Sequence, residues 1–404
     1  MITRDLRSAI DHAVAAAGFD RPSDPGLRPT GIPGQYAASV ALALGGDPRE
    51  TAAALAAGLR TAPWIATAEV TGPGYLTITV TPAALAAVAD TVTAAGPASV
   101  TSDALAGETV PAAPPGDPLA APTWEKARAT LAAQLTARLA AAAGATVAEW
   151  AATERNRPTL PAHPPSPDST EVAAAVSFAG RDAVTFALAR AAPGKPVVID
   201  PQIIARRVVG NPAYAVRYAH ARAASGVRWA VISRGGNPPD ECSDFALAAE
   251  QSPRWDAKSE CSYLSPETAA RLCPPADPGE LALLDALSWL PERVATAARR
   301  GRPDEFARYL EDLANVTVDV LSSARAPGSA PIGTRAPGSD RLSLARAARA
   351  GLAAGLGLLG VVAPERLLAE IYREPSCEPC RPPGWATSWG RAAGRSPADA
   401  ARRP

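Results

Sequence analysis

The chain has 404 residues, 40 Lys+Arg against 40 Asp+Glu, and 47 % apolar residues. That length suits two or three domains with real cores and excludes a wholly disordered chain. Zero net charge excludes a protein that coats nucleic acid indiscriminately but leaves room for a local basic face.

Ala supplies 94 residues, and only Lys126, Lys195 and Lys258 are not Arg among the 40 basic residues, a bias of GC-rich coding that says little about function. The uncharged apolar-plus-Gly run Gly351–Ala363 has 13 residues. A spanning helix needs ~20, so neither a membrane span nor a membrane partner is expected. Five Cys (242, 261, 273, 377, 380) and the N-terminus MITRDLRSAIDHAV, which has no apolar export block, fit a reducing, cytoplasmic setting.

Residues 1–20 predict a helix with Leu6, Ile10, Val14 and Ala17 on one stripe. A Pro/Gly loop and an apolar helix from Tyr36 to Leu44 follow. Asp47-Pro48 predicts an N-cap and a Pro at the first position of a helix to Leu59. Ile65–Val70 and Tyr75–Val80 predict a hairpin turning at Thr71-Gly72-Pro73-Gly74, and Pro82 opens another helix. Residues 1–97 thus predict a small α+β domain.

Residues 98–170 predict a linker region: Pro/Ala/Gly-rich to 122, helix-forming over 123–150 with a turn at Gly144, and Pro-rich again over 156–169. Residues 171–372 predict a mainly helical domain. It breaks at Pro193-Gly194-Lys195-Pro196 and Asn211-Pro212 and carries an irregular insert at 231–279. Two helices are expected between Gly279 and Arg325, joined near Gly301-Arg302-Pro303. A last one, capped by Asp340, runs to Gly360. The tail 373–404 reads as disordered.

Six Arg (206, 207, 217, 222, 228, 234) and no acid fall between Pro201 and Gly235. Such a segment is either a solvated helix face or an RNA contact. Tyr214 and Tyr218 share a helical face, where they either stack on unpaired bases or pack on a neighbouring helix. His220, alone in an apolar helix, fits a satisfied buried histidine. Tyr75 and Thr77 share one face of a strand. Cys377-Glu-Pro-Cys380 is at most half a zinc site, with no second pair and no nearby His, so no metal is expected.

Three blocks in order resemble arginyl-tRNA synthetases. GQYAASVALALGG, GDPRETAAALAAGL and GPGYLTITVTPAAL are similar to that family's additional N-terminal domain, which leans on the corner of tRNA. FAGRDAVTFALARAAPGKPVVID and NPAYAVRYAHARAAS look like the start of the helical DALR anticodon-binding domain. ELALLDALSWLPERVATAARRGRPDEFARYLEDLANVTVDVL and RLSLARAARAGLAAGLGLLGVVAPERL look like its remainder. Together they cover roughly two thirds of the chain.

The resemblance implies an α+β N-terminal domain followed by a mainly α-helical anticodon-binding bundle, with tRNA as partner, an arginine tRNA in particular. It implies RNA contacts at Arg206, Arg207, Arg217, Tyr218, Arg222 and Arg228. D-loop contacts fall at Tyr75 and Thr77, although Thr77 and Ser39 stand where that family has Asn.

The chemistry departs from the family. The only His are His12, His163 and His220, so no His-x-Gly-His occurs, and no Lys lies in a Lys-Met-Ser-Lys context. In PLAAPTWEKARATLAAQLTARLAAAAGATV, Thr123, Glu125 and Lys126 stand in the signature's place, and Arg128 matches the Arg that follows it. Glu125 has the wrong sign for a phosphate.

From Trp150 to Ala175 only about 25 residues remain, and a βαβ unit needs ~30. A catalytic Rossmann-type domain is therefore expected to be largely deleted, with no catalytic residue and no cofactor. No GxxxxGK[ST] or GxGxxG replaces it. Two other readings stay open. One is an active arginine–tRNA ligase, which alone would need ATP. The other is an interaction module with a protein partner. DNA is not expected as a partner.

Overall fold

The first 80 residues fold around a sheet that the helices then cover. The computed structural model describes residues 1–20, 24–149, 170–233, 277–322 and 341–367, and every element named below lies in the compact unit Met1–Glu365.

Helix α1 (Ile2–Ala16) buries Leu6, Ile10 and Val14, while Ala17, past its end, is exposed. Strands β1 (Arg28–Pro29) and β2 (Gln35–Ala38) follow, then a single 3-10 turn at Val40–Leu42. This corrects the expected helix from Tyr36 to Leu44. Tyr36 and Ala38 pair with Ile78 and Leu76 and are buried on alternate positions. The Ala neighbours hide that period of two, because Ala is at home in either face.

Helix α2 (Pro48–Leu59) starts as expected, with the Asp47 carboxylate accepting from the N–H groups of Arg49 and Glu50. Strands β3 (Ile65–Thr71) and β4 (Tyr75–Val80) form the expected hairpin. The sheet order is β1-β2-β4-β3, antiparallel throughout. Gly74 has φ +137°, and a Cβ there would lie 2.8 Å from the Pro48 carbonyl oxygen. Only glycine lets the hairpin turn rest on the start of α2.

The helix opened by Pro82 breaks at Ala87 into α3 (Pro82–Ala86) and α4 (Val88–Ala95). The stretch to residue 122, expected as a linker, is anchored instead by buried Val100, Leu105 and Leu119. β5 (Thr109–Val110) and β6 (Thr146–Val147) pair in parallel across α5 (Trp124–Ala142), a minimal βαβ unit. Scattered Leu and Val between Pro and Gly carry no period, so their burial was invisible in sequence. The second Pro-rich stretch, 156–169, lies outside the described residues.

Helices α6 (Glu171–Ala179) and α7 (Arg181–Arg190) are separated by Gly180 at φ +87°. Short α8 (Pro201–Ile204) and long α9 (Pro212–Ser233) follow. The two helices expected between 279 and 325 are three: α10 (Pro278–Ser288), α11 (Leu290–Arg300) and α12 (Pro303–Ser322). Pro291 has no N–H for a continuous ladder, so the chain restarts at Leu290. α13 (Arg341–Leu359) completes the bundle. Asp340, most of the insert 231–279, the tail 373–404 and Cys377 with Cys380 lie outside the described residues.

Among the described residues, Pro82–Val100 and Arg341–Leu359 are long and apolar enough to cross a membrane by length and composition alone, a property that the shorter uncharged run did not reveal. Both supply core here: Leu85, Val88 and Val92 in the first, Leu344, Leu352 and Leu356 in the second.

Buried polar contacts tie the N-terminal elements to α10 and α11. The Thr3 hydroxyl donates to the Ser288 carbonyl at 2.6 Å, and Arg7 Nη2 reaches both Glu292 carboxylate oxygens at 2.8 and 2.9 Å. The Gly34 N–H donates to the Asp285 carboxylate, and the Tyr36 hydroxyl lies 3.1 Å from Ser288 Oγ. Burial pushes both the Asp285 carboxyl and the Tyr36 phenol above their ordinary ranges. The Arg7 and Glu292 side chains are 4 % and 6 % exposed. Removing one partner strands the other's charge in the interior, which costs roughly 3–5 kcal/mol. Arg7→Met is therefore expected to lower stability in urea unfolding by about that amount. Arg7→Met/Glu292→Leu should recover most of the loss, and equal losses in both variants would remove the ion pair as the cause.

Candidate nucleic-acid interface

Helix α9 carries most of the candidate residues, and its small residues decide which way they point. Ala213, Val216, Ala219, Ala223 and Ala224 are buried, with α12 and α13 packed on that side. Tyr214, Tyr218, Arg222 and Gly226 follow one another at four-residue spacing and therefore form an outward stripe. The two tyrosine rings stack with centroids 5.9 Å apart and planes 18° from parallel. Both are half-buried, while Arg222 and Trp229 are exposed.

Ahead of the helix, the buried Asn211 side-chain amide donates to the carbonyls of Ile204 and Arg206. That clamp shapes the loop on which Arg206 and Arg207 stand exposed, flanked by exposed Ile203, Val208 and Val209. Arg217 and Arg228 are held differently. Arg217 is only 13 % exposed and lies 3.5 Å from the Asp182 carboxylate on α7. Arg228 pairs with Glu365 beyond α13. The acid-free run in sequence is thus partly neutralised in space by acids from other elements. Arg234 lies outside the described residues.

His220 is buried, with Nδ1 2.9 Å from the Pro364 carbonyl oxygen. That oxygen only accepts, so Nδ1 carries the proton. Burial holds the ring's pKa below its ordinary value.

Tyr75 and Thr77 lie on the outer face of the sheet. Leu76, Ile78 and Val80 alternate inward. Tyr75 is 42 % exposed. Thr77 is half-buried, its hydroxyl 3.2 Å from that of Thr71, and Glu69 pairs directly opposite it.

The stretch that stands where a nucleotide signature is expected forms the start of α5. Thr123 caps the helix through the Lys126 N–H. Arg128 Nη1 donates to the carbonyls of Ala192 and Lys195 and so ties α5 to the turn after α7. An open groove of about 540 Å³ is lined by Thr123, Trp124, Glu125, Thr170 and Glu171, among others. Two carboxylates stand at the helix starts that would otherwise attract a phosphate. Among the described residues no group of three His, Cys, Asp or Glu could hold a metal ion.

Sequence reasoning missed Asp182, Arg349 and Glu365. Each lies far along the chain from the Arg it meets or flanks, so no local pattern reveals it.

Residues 256–367 match the DALR anticodon binding domain. The match spans α10–α13 and begins after α9, which packs on its last two helices. The arginine–tRNA ligase of Frankia alni is 32 % identical over 195 residues, covering 48 % of this chain and 30 % of its own length. That of Micrococcus luteus is 34 % identical over 197 residues, with the same coverage. The arginyl-tRNA synthetase structure from Thermus thermophilus overlaps 59 % of this chain and 32 % of its own at 25 % identity, with a TM-score of 0.32. The chain spans less than a third of the length of the curated relatives it matches. By these matches, residues 256–367 carry a DALR anticodon binding domain, and 48 % of the chain is similar to arginine–tRNA ligases.

Proposed function

We propose that this chain binds tRNA, an arginine tRNA in particular, through the outer face of α9 and the loop before it, as a synthetase-derived anticodon-binding protein without aminoacylation activity. The observation that carries the reading is the tyrosine–arginine stripe of α9, seated on two helices of the anticodon-binding match. Guanidinium groups dock the phosphates. Stacked Tyr214 and Tyr218 offer an aromatic platform to unpaired bases. Arg206, Arg207 and Arg222 are the exposed charges that meet the backbone first, since Arg217 and Arg228 begin paired with carboxylates. Tyr75 on the sheet is the contact for the D-loop.

Inactivity rests on the missing phosphate-binding signatures, on the roughly 25 residues left for a nucleotide-binding sheet, and on the carboxylates of Glu125 and Glu171 in the α5–α6 groove. Adenylate formation needs donors that stabilise charge developing at the α-phosphate, and carboxylates do the reverse. No cofactor is needed for binding alone. The ligase reading is favoured by the activity named for the relatives. ATP–pyrophosphate exchange with arginine and tRNA is expected to stay at background in protein free of host synthetase. Exchange above a no-enzyme control would establish the ligase reading instead.

Arg206→Gln/Arg222→Gln, at two exposed positions, should leave folding intact. It should weaken tRNA binding and flatten the slope of log K against log salt by about 0.7–0.9 per lost contact. A folded double variant with unchanged affinity and slope would move the RNA site off this face.

A further inference from the structure

The loop between α7 and α9 turns apolar side chains outward. Ile199 and Ile204 pack against the core, while their neighbours Val198 and Ile203 are 88 % and 53 % exposed. Val208 and Val209 are 53 % and 51 % exposed. Asn211 closes the segment. Its side-chain amide holds the Ile204 and Arg206 carbonyls, and its N–H donates to the Val208 carbonyl at 2.8 Å. Ile203, Val208 and Val209 therefore sit on one short, internally bonded loop, with Arg206 and Arg207 exposed among them.

The charge of this loop is open. Among the described residues no carboxylate pairs with Arg206 or Arg207. The loop's one acid, Asp200, directs Oδ1 at the Gln202 N–H that starts α8. Lys195, at the other end, is exposed.

A single exposed aliphatic side chain is ordinary. Four of them between Val198 and Val209, around two unpaired guanidinium groups, call for an occupant that is both apolar and anionic. RNA phosphates would engage the guanidinium groups and leave the aliphatics idle, because branched Val and Ile offer no flat face to a base. A second copy of the chain would set Arg206 and Arg207 against their own images, which repel. The side chains also project rather than line a groove: a Cβ at Gly210 would meet nothing within 4 Å. A projecting apolar tip with cations beside it suits a lipid interface, where acyl chains take the aliphatics and anionic headgroups take the cations. Such peripheral seating needs no spanning helix.

We propose that the α7–α9 loop docks on an anionic lipid surface, with Ile203, Val208 and Val209 seated at the acyl boundary and Arg206 and Arg207 on headgroup phosphates. The inference does not rest on the tRNA-binding reading. The two share the arginines but not the aliphatics, so an aliphatic variant separates them.

The test is cosedimentation of the full chain with vesicles of phosphatidylglycerol and phosphatidylcholine, against phosphatidylcholine alone. The chain should pellet with the anionic vesicles at low salt and stay in solution with the neutral ones. Arg206→Gln/Arg207→Gln should weaken the partition about 10- to 30-fold, roughly fivefold per Arg. Val208→Ser/Val209→Ser should weaken it about three- to tenfold and leave tRNA affinity unchanged. Thermal melting checks that both variants fold.

A wild type that does not pellet with anionic vesicles overturns the proposal. So does unchanged partition in either folded variant, which would place lipid binding elsewhere or reduce it to charge attraction without seating. Two further outcomes reassign the loop and overturn the lipid reading. One is a dimer in gel filtration that Val208→Ser/Val209→Ser abolishes. The other is binding of an acidic amphipathic peptide without binding of vesicles. Absence of tRNA binding in the wild type would fail the reading above and leave the vesicle arms to decide this one.

Discussion

Helix α9 has to bury one long side against α12 and α13, and the chemistry of its other side follows from that constraint. Its inner positions are mostly Ala, which lets the helix axes come close and leaves little freedom to rotate. Once Ala219 and Ala223 face inward, Tyr218 and Arg222 must face outward. The same close approach recurs at Gly355 of α13, where a Cβ would lie 2.5 Å from a Leu310 methyl. Small residues in this protein are therefore spacing elements. A chain so rich in Ala still specifies one packing because its few large residues, such as Leu310, Leu313, Leu352 and Leu356, have no other place to go.

Around that bundle the N-terminal sheet is held by polar groups as well as by apolar burial. Arg7, Thr3 and Gly34 each reach α10 or α11. Such contacts add modest net stability but penalise misplacement heavily, because a shifted α1 strands a buried guanidinium. They act as a register device between elements almost 300 residues apart in the chain. Trp289, its ring tilted 41° against that of Tyr36 and lying beneath the Arg293 guanidinium, adds an aromatic contact at the same seam.

The basic face shows how a charge pattern changes on folding. Counted along the chain, residues 201–235 carry six Arg and no acid. In space, Asp182 and Glu365 neutralise part of that field, and among the described residues the exposed charge is concentrated on Arg206, Arg207 and Arg222.

Much of this was legible in the sequence. The α1 stripe, the Asp47-Pro48 cap, the hairpin around Gly72 and Gly74 and the α9 segment all follow from short-range rules: periodicity, capping and turn chemistry act within a few residues. The resemblance carried by YAHAR, GPGYL and LLGVVAPERL pointed to the family for the same reason, since each string is local. What sequence could not decide depends on residues far apart in the chain. Tyr36–Ala38 became a strand because β4 was there to pair with it. Residues 98–122 became structure because Leu105 and Leu119 found a core. Arg228 acquired its counter-ion only because the turn at Gly360 brings Glu365 back across 137 residues. Local patterns set what each segment can form, whereas burial and charge pairing act through space and are settled only when the chain has closed.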